Sequence, residues 1–433
     1  MSATNNDRPY IQVDHSTSPA DQEISISLHH LPPNRLITVE AQTSTPYYCI
    51  NVPVQQSGLP WRAQAQYLSD NEGTIDMCTD PSLSGSFTGL HPMGLLYCLS
   101  PVQNAAPRTP QSPLPARGFT LHLRAMHEGA VLCDKEIRRN YLTEQSRIIP
   151  VQGQDYRGVL YHPGSIKAPA IMVLSGSEGG SDKARNIAQM LCSHGFAALA
   201  IGYFHAEGLA ENLDGIALEI VERALEYLSQ RDDIDAGHIG LYGRSKGAEM
   251  ALAAAQRIPG IAAVVANSPS AQVLEGIKGR MPSRGSSWTW RGKELAYRKF
   301  GIHDLLKRNP SNDSLHHPAS TALPCAIESE NIKAPLLMFA STHDEIWPAF
   351  ASMRALSERR VANDIGYPTI AVPCTSVGHM LTIPWMPNPR YPSALWHTNA
   401  QECARAWKTT LEFFGAHLGI AEGHACPDEC RQA

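Results

Sequence analysis

The feature that most restricts the fold is a change of hydrophobic rhythm at Ile148-Ile149-Pro150. Beyond it, short apolar runs alternate with stretches of helical spacing. The runs at 170–174, 197–201, 238–242, 261–266, 336–340 and 369–372 are long enough for buried strands and too short for helices. Between them Leu213, Ile216, Ile220, Ala224 and Leu228 recur at three- and four-residue steps, which predicts a helix packing one face on a sheet. Ala400, Ala404, Trp407, Leu411, Phe414 and Leu418 predict a second such helix near the end. Strands joined through helices run parallel, so the pattern demands a mostly parallel sheet with helices on both faces.

Before the boundary, apolar residues alternate by two, most plainly in Phe119-Thr120-Leu121-His122-Leu123-Arg124-Ala125. Half-buried antiparallel strands produce that pattern. Turn residues at Pro32-Pro33, Ser57-Gly58, Asp70-Asn71 and Gly73 interrupt the runs, and no helix-length amphipathic stretch separates them. A β-sandwich of about 120 residues is therefore expected. Pro101, Pro107, Pro110, Pro113 and Pro115 mark a long loop inside it. The expected division is a β-sandwich at 1–148, an α/β unit at 149–421 and a polar tail at 422–433.

Composition excludes several classes. Hydrophobic residues make up 43% of the 433 positions and charged residues 18%, so a large core can form and bulk disorder is ruled out. The net charge of -5 lacks the basic excess of a nucleic-acid binder. The first residues are polar, and no apolar run reaches the roughly 18 residues of a membrane span. The expectation is a cytoplasmic protein with neither nucleic acid nor membrane as partner. Ten dispersed cysteines in a chain of this size point to reduced thiols. His424, Cys426 and Cys430 fall one ligand short of a closed tetrahedral zinc site, so no metal is expected there.

The sharpest motif is Gly243-Arg244-Ser245-Lys246-Gly247, directly after the strand run ending at Tyr242 and directly before a helix through Ala248, Ala251, Leu252 and Ala255. In a nucleophile elbow the serine occupies a strained strand-to-helix turn, and the flanking glycines permit a close chain approach. Ser245 is thus the candidate nucleophile; a helix-capping serine in a glycine turn is the plainer alternative. Such a hydroxyl needs a histidine base, itself oriented by a carboxylate, in the chain order nucleophile, acid, histidine. Of the 18 histidines, His379 is the only one after Asp344 in a strand-exit loop, His397 being at a helix start and His417 near a helix end. Asp344 and Glu345 both follow that run, and spacing leaves the choice between them open. Two N–H groups must hold the oxyanion. Lys246 supplies the first, and Ser177, in Ser175-Gly176-Ser177-Glu178-Gly179-Gly180, is chosen for the second. A phosphate-loop interpretation of that stretch fails for want of the Gly-Lys-Ser/Thr ending.

Taken together, the elbow, the acid, the Gly378-His379 pair and the β-rich first part resemble the acyl-CoA thioesterase and bile acid-CoA:amino acid N-acyltransferase family. Ser84-Gly85-Ser86-Phe87-Thr88-Gly89-Leu90-His91-Pro92-Met93-Gly94-Leu95-Leu96 is similar to that family's Gly-Ser-Phe-x-Gly-Leu-x-Pro-Met-Gly-Leu-Leu motif. Gly195-Phe196-Ala197, Ser245-Lys246-Gly247, Trp347 after Asp344, and Trp407 with Phe414 also match, so the resemblance runs from about 20 to 420. It implies an α/β-hydrolase unit behind an antiparallel β-sandwich, a catalytic set of Ser245, Asp344 and His379, and Asp344 over Glu345 as the acid. Ser177 and Glu178 interrupt a glycine cluster that the family usually keeps whole. The family's acyltransferases tend to carry cysteine at the nucleophile, and its thioesterases serine. An oxygen-ester intermediate on serine is open to water, whereas a thioester on cysteine is more readily captured by an amine. The resemblance therefore implies an enzyme that hydrolyses acyl-CoA or acyl-carrier thioesters, with coenzyme A as part of the substrate and no separate cofactor. Transfer to an amine or hydroxyl acceptor, a general esterase or peptidase, and a silent binding protein are the alternatives. Nine Lys or Arg in the 278–308 segment, interleaved with Trp288, Trp290, Tyr297 and Phe300, make Arg284 and Arg291 the candidates for coenzyme A phosphates.

Overall fold

The computed structural model describes residues 8–53, 56–103, 117–164, 167–299, 323–375 and 378–419. Its contacts divide the chain into two units, Met1–Thr143 with Ile383–Ala404, and Glu144–Thr382 with Arg405–Ala433. The division returns Ile383–Ala404 to the first unit, which the expected boundary at 148 did not do.

The first unit is built on two sheets. The larger runs in the order Thr17–Pro19, Ala130–Asn140, Gly118–His127, Leu36–Thr43, Trp61–Leu68 and Ser84–Gly85. The smaller joins Tyr10–Val13, Ile26–His29 and Ile75–Asp76. Pairing is antiparallel except between Thr17–Pro19 and Ala130–Asn140, which run parallel. Alternation does what the sequence expects: Trp61, Ala63, Ala65 and Tyr67 are buried while Arg62 and Gln64 face outward. The Ser84–Leu96 motif is a packing device here, since a methyl group on Gly94 would stand 2.6 Å from the Phe87 ring. His91, at the motif's variable position, bonds through Nδ1 to His397 Nδ1 at 2.8 Å within the same unit. Residues 104–116, with four of the five prolines assigned to the long loop, lie outside the described residues.

The second unit carries an eight-stranded sheet. Its strands are β1 (Arg147–Gln152), β2 (Arg157–His162), β3 (Ala168–Leu174), β4 (Ala197–Gly202), β5 (Ile234–Arg244), β6 (Ala263–Asn267), β7 (Leu336–Ser341) and β8 (Thr369–Cys374). They lie in the order β1-β2-β4-β3-β5-β6-β7-β8. β2 is antiparallel to both neighbours and the rest pair parallel. Every residue of β4, β6 and β7 is buried, as strands covered on both faces must be. Helices α1 (Asp182–Ser193), α2 (Glu219–Ser229), α3 (Lys246–Ala255), α4 (Ala349–Ala362) and the part of α5 (Trp396–Leu418) from Arg405 onward connect or close the layers. Phe414 and Leu418 of α5 fill the space over Gly240, where a methyl group would come within 2.9 Å of the Phe414 ring. Strand order, one reversed strand and a helix following β5 without a linker make this an α/β-hydrolase sheet.

One expected helix is shorter than its periodicity. α2 starts at Glu219, while Ile216–Ala217 forms a strand beside Trp288–Trp290 and Leu213 bridges to Ile277. Gly215, at φ 63, breaks the helical path between them. The partner strands belong to the segment between β6 and β7, where Glu275–Lys278 pairs with Met281–Ser286 and Trp288–Trp290 with Lys293–Glu294.

Candidate active site

β5 ends at Arg244 and α3 begins at Lys246, so Ser245 alone makes the turn, at φ 58 and ψ -125. For a residue with a side chain this backbone is strained by about 1–3 kcal/mol and survives only where its surroundings fix it. They do. Methyl groups on Gly243 and Gly247 would fall 2.2 Å from Gly247 O and 2.2 Å from Ser175 O, so the turn packs backbone on backbone. The Ser245 N–H donates to Asn267 O at 2.9 Å.

Asp344 lies in the loop leaving β7. Its Oδ1 accepts the N–H groups of Ile346 at 2.8 Å and Trp347 at 3.2 Å, which turns Oδ2 toward His379. Asp344 Oδ2 stands 2.7 Å from His379 Nδ1, and His379 Nε2 stands 2.7 Å from Ser245 Oγ. Both side chains are almost sealed, at 2% and 4% exposure. With Nδ1–H donated to the carboxylate, Nε2 is the acceptor for the serine O–H; the tautomer follows from the network. The neighbouring acid does a different job: the His379 N–H donates to Glu345 Oε2 at 2.9 Å. Trp347 meets the imidazole edge-on at 4.9 Å. Asn267 Nδ2 donates to Leu381 O at 2.6 Å and Ser268 Oγ to His379 O at 3.0 Å, tying the histidine loop to the end of β6.

The loop after β3 borders the same hydroxyl. A methyl group on Gly176 would stand 3.1 Å from Ser245 Cβ and 3.4 Å from Ser245 Oγ. Tyr203 donates its O–H to Ser175 O at 2.8 Å and to Gly176 O at 3.1 Å. The Gly176 N–H donates to Glu178 Oε1 at 3.1 Å, and Arg244 Nη2 donates to the same oxygen at 2.5 Å. Burial works to raise the Glu178 carboxyl, but the Arg244 and Lys183 charges and the N–H bonds outweigh it and hold it below its ordinary value. Ser177 is exposed, and among the described residues its N–H has no partner. The Lys246 side chain turns away into the interior, donating to Glu249 Oε2 at 2.9 Å and Ser287 Oγ at 2.7 Å.

Structure thus joins Ser245, Asp344 and His379 by hydrogen bonds and brings Gly176, the residue before Ser177, beside Ser245. It does not draw Arg284 and Arg291 into that cluster. Arg291 pairs with Glu222 at 2.7 Å and lies over the Trp290 ring at 4.4 Å. Arg284 is held by its backbone, with N–H to Glu275 Oε1 at 2.9 Å and its carbonyl accepting from Tyr297. Trp288, expected within a surface patch, is a core residue that donates to Glu249 Oε1 at 2.7 Å. Phe300, Lys307 and Arg308 fall outside the described residues, as do His424, Cys426 and Cys430. The sequence reading missed the Glu178–Arg244 pair; its only outward sign was a charge inside each of two glycine-framed turns. No disulfide joins the described cysteines, and no group of three His, Cys, Asp or Glu among the described residues is placed to hold a metal ion. No described helix is long and apolar enough to cross a membrane.

Comparison with known families gives two matches. Residues 21–153 match the acyl-CoA thioester hydrolase/BAAT N-terminal region, and residues 216–420 the BAAT/acyl-CoA thioester hydrolase C terminal region. Acyl-coenzyme A thioesterase 6 of Mus musculus is 30% identical over 383 residues, covering 85% of this chain and 84% of that protein. The chain belongs to this thioester hydrolase family. The peroxisomal succinyl-coenzyme A thioesterase of Mus musculus is 28% identical, with 94% of this chain and 96% of that protein covered. The mitochondrial acyl-coenzyme A thioesterase 2 of Homo sapiens is also 28% identical, with 93% and 83% covered. As a member of this family the protein is an enzyme, and family and fold together support thioester hydrolysis.

Proposed function

We propose that this enzyme hydrolyses acyl-CoA thioesters through an acyl-enzyme on Ser245. The carrying observation is the continuous Asp344–His379–Ser245 chain, 2.7 Å at each link, ending on a serine held in an elbow. His379 Nε2 takes the Ser245 proton as Oγ attacks the thioester carbonyl, and Asp344 stabilises the imidazolium that forms. The tetrahedral oxyanion sits against the N–H groups of Lys246 and Ser177. Collapse breaks the C–S bond, and His379 passes its proton to the departing coenzyme A thiolate. Water then enters, gives a proton to the same imidazole and attacks the ester; Ser245 leaves, regains its proton, and the free acid departs. Arg284 and Arg291 are the proposed contacts of the nucleotide phosphates, supported by the exposed Arg291 guanidinium lying over the half-buried Trp290 ring, which offers a cation and a ring together.

Water is the preferred acceptor because the intermediate is an oxygen ester, the less readily aminolysed of the two acyl-enzymes. The test is thiol release from a panel of acyl-CoAs by the wild type and S245A, with intact mass spectrometry to catch the acyl adduct. Loss of turnover by about 10⁴-fold or more and loss of the adduct in S245A support the mechanism. Full activity in S245A overturns it. A conjugate in place of the free acid, when amines or alcohols are supplied, overturns hydrolysis in favour of transfer.

A further inference from the structure

Two charged residues sit where the elbow and the β3 loop need only small neutral ones. Arg244 is 2% exposed, and the one carboxylate it meets among the described residues is Glu178, itself 25% exposed. Its Nη1 faces Met380 Sδ at 3.1 Å, a weak acceptor, and its Nε is buried with no partner. A guanidinium so poorly satisfied costs stability; an apolar side chain would suit the position better if packing were its purpose. The site retains the charge, and the charge faces Glu178.

Glu178 in turn acts on the loop. Peptide units are planar and trans, so a carbonyl and the N–H of the next residue point in opposite directions. Tyr203 draws the Ser175 and Gly176 carbonyls to one side. The N–H groups of Gly176 and Ser177 therefore point to the other. Glu178 Oε1 takes the first at 3.1 Å, leaving the second as the amide the loop presents. This arrangement has a cost at the reaction centre. The same methyl position on Gly176 that lies 3.4 Å from Ser245 Oγ lies 2.8 Å from Glu178 Oε2, so the carboxylate stands close to where the oxyanion charge develops. A bare negative charge there opposes catalysis.

We propose that Glu178 and Arg244 are a charge-balanced pair of positioning residues: Glu178 sets the loop so that Ser177 presents its amide, and Arg244 cancels the carboxylate's field at the oxyanion. The proposal rests on Ser245 acting as the nucleophile. Its signature is that the two residues are needed together or not at all.

The experiment compares R244M, E178Q and the R244M/E178Q double variant with wild type in steady-state hydrolysis of one acyl-CoA, across pH 5–9. At about 6 Å and an effective dielectric near 20, one uncompensated charge changes a rate by roughly 10²-fold and a neighbouring pKa by one to two units. Lys183 still offsets part of the Glu178 charge in R244M, so that variant should lose up to about that much kcat with KM within about threefold, and the acid limb of its kcat/KM profile should move up as the carboxylate freed of Arg244 stabilises the His379 imidazolium. The double variant, keeping an oxygen for the Gly176 N–H, should regain at least about tenfold over R244M and return the limb to its wild-type position. A double variant no faster than R244M makes Arg244 a packing residue and overturns the proposal. If R244M fails to fold by circular dichroism, E178Q alone decides: an unpaired Arg244 should move the acid limb down, and an unmoved limb overturns the idea. S245A run in parallel separates the two failures. Activity in S245A sinks the nucleophile assignment, while an inactive S245A beside a wild-type-like R244M sinks only the pair.

Discussion

Lys246 offers the firmest energetic test, because its side chain carries a buried charge away from the elbow. It is sealed from solvent and donates to Glu249 Oε2, Ser287 Oγ and Glu275 O, while Glu249 Oε1 accepts the Trp288 Nε1–H at 2.7 Å and the Leu274 N–H at 2.9 Å. The network thus bolts the first turn of α3 to the segment between β6 and β7. Burial raises the Glu249 carboxyl against the pull of Lys246, and lowers the Lys246 ammonium against the pull of Glu249. K246M keeps the length of the stem and removes the charge, leaving a sealed carboxylate without its cation. Breaking one side of a buried pair costs about 3–5 kcal/mol. Without the lysine, the Glu249 carboxyl stands further above its ordinary 4.5, so the folded variant binds a proton that the unfolded chain releases. Its stability is intact below pH 4.5 and drains away as pH climbs toward the raised folded value. Adding E249Q removes the charge but keeps an oxygen for Trp288 and Leu274. Urea unfolding of K246M and K246M/E249Q from pH 4.5 to 8 isolates the effect, since every other titrating group is common to both. The double variant should be the more stable by roughly 2 kcal/mol or more at pH 7, with the gap closing toward pH 4.5. A gap that does not change with pH, or a double variant no more stable than K246M, refutes the reasoning.

Replacing the two acids of the β7 loop separates their roles: D344N should cut kcat about 10³–10⁴-fold, and E345Q, whose carboxylate meets the His379 backbone N–H rather than the ring, about tenfold or less. Equal losses in the thioester assay would contradict that division. G247A drives a methyl group to 2.2 Å from Ser175 O and 2.6 Å from Leu174 O, atoms of fixed backbone. It should cost about 3 kcal/mol or more and lower the melting temperature by roughly 6–12 °C, and an unchanged melt would show that the elbow can open. R291E and R284E should each raise KM for an acyl-CoA about threefold or more while sparing a short thioester that lacks the nucleotide, because exposed cation–phosphate contacts are modest. Equal effects on both substrates would remove these arginines from coenzyme A binding.

What could be seen in advance follows from which interactions are local. The strands of the second unit were legible because each is an apolar run closed by a turn, and the structure extends those at 170–174 and 336–340 only to Ala168–Leu174 and Leu336–Ser341. Ser245 and His379 were legible for the same reason, each lying where a strand run stops. The choice between Asp344 and Glu345 was not, because it is made by Asp344 Oδ1 accepting two N–H groups and aiming the other oxygen. Leu213 and Ile216 fit a helical period, yet pairing with two hairpins that follow much later in the chain overrides it. Glu178 read as an interruption because its partner lies 66 residues away. In the last two misses the deciding contact is a long-range bond that no periodicity encodes; in the first it is a local bond that sets the direction of a side chain.

Three such bonds span the sheet between Ser245 and His379. Ser245 comes from the end of β5 and His379 from the loop after β8, and β6 and β7 lie between those strands in the sheet. No direct backbone pairing fixes them. The end of β6 does so instead, because Asn267 O receives the Ser245 N–H while Asn267 Nδ2 and Ser268 Oγ donate to Leu381 O and His379 O. Two adjacent residues therefore hold the proposed nucleophile and base at once. S268A removes one of these bonds without touching the ring or the hydroxyl, leaving a buried carbonyl short of a donor. Such a loss costs about 1–3 kcal/mol locally, and a misplacement of about 1 Å costs as much as 10²-fold in rate. The variant should lose about tenfold in kcat at near-constant KM while remaining folded. Wild-type kcat in S268A would mean that the bonds left by Asp344, Glu345 and Asn267 suffice to align the imidazole.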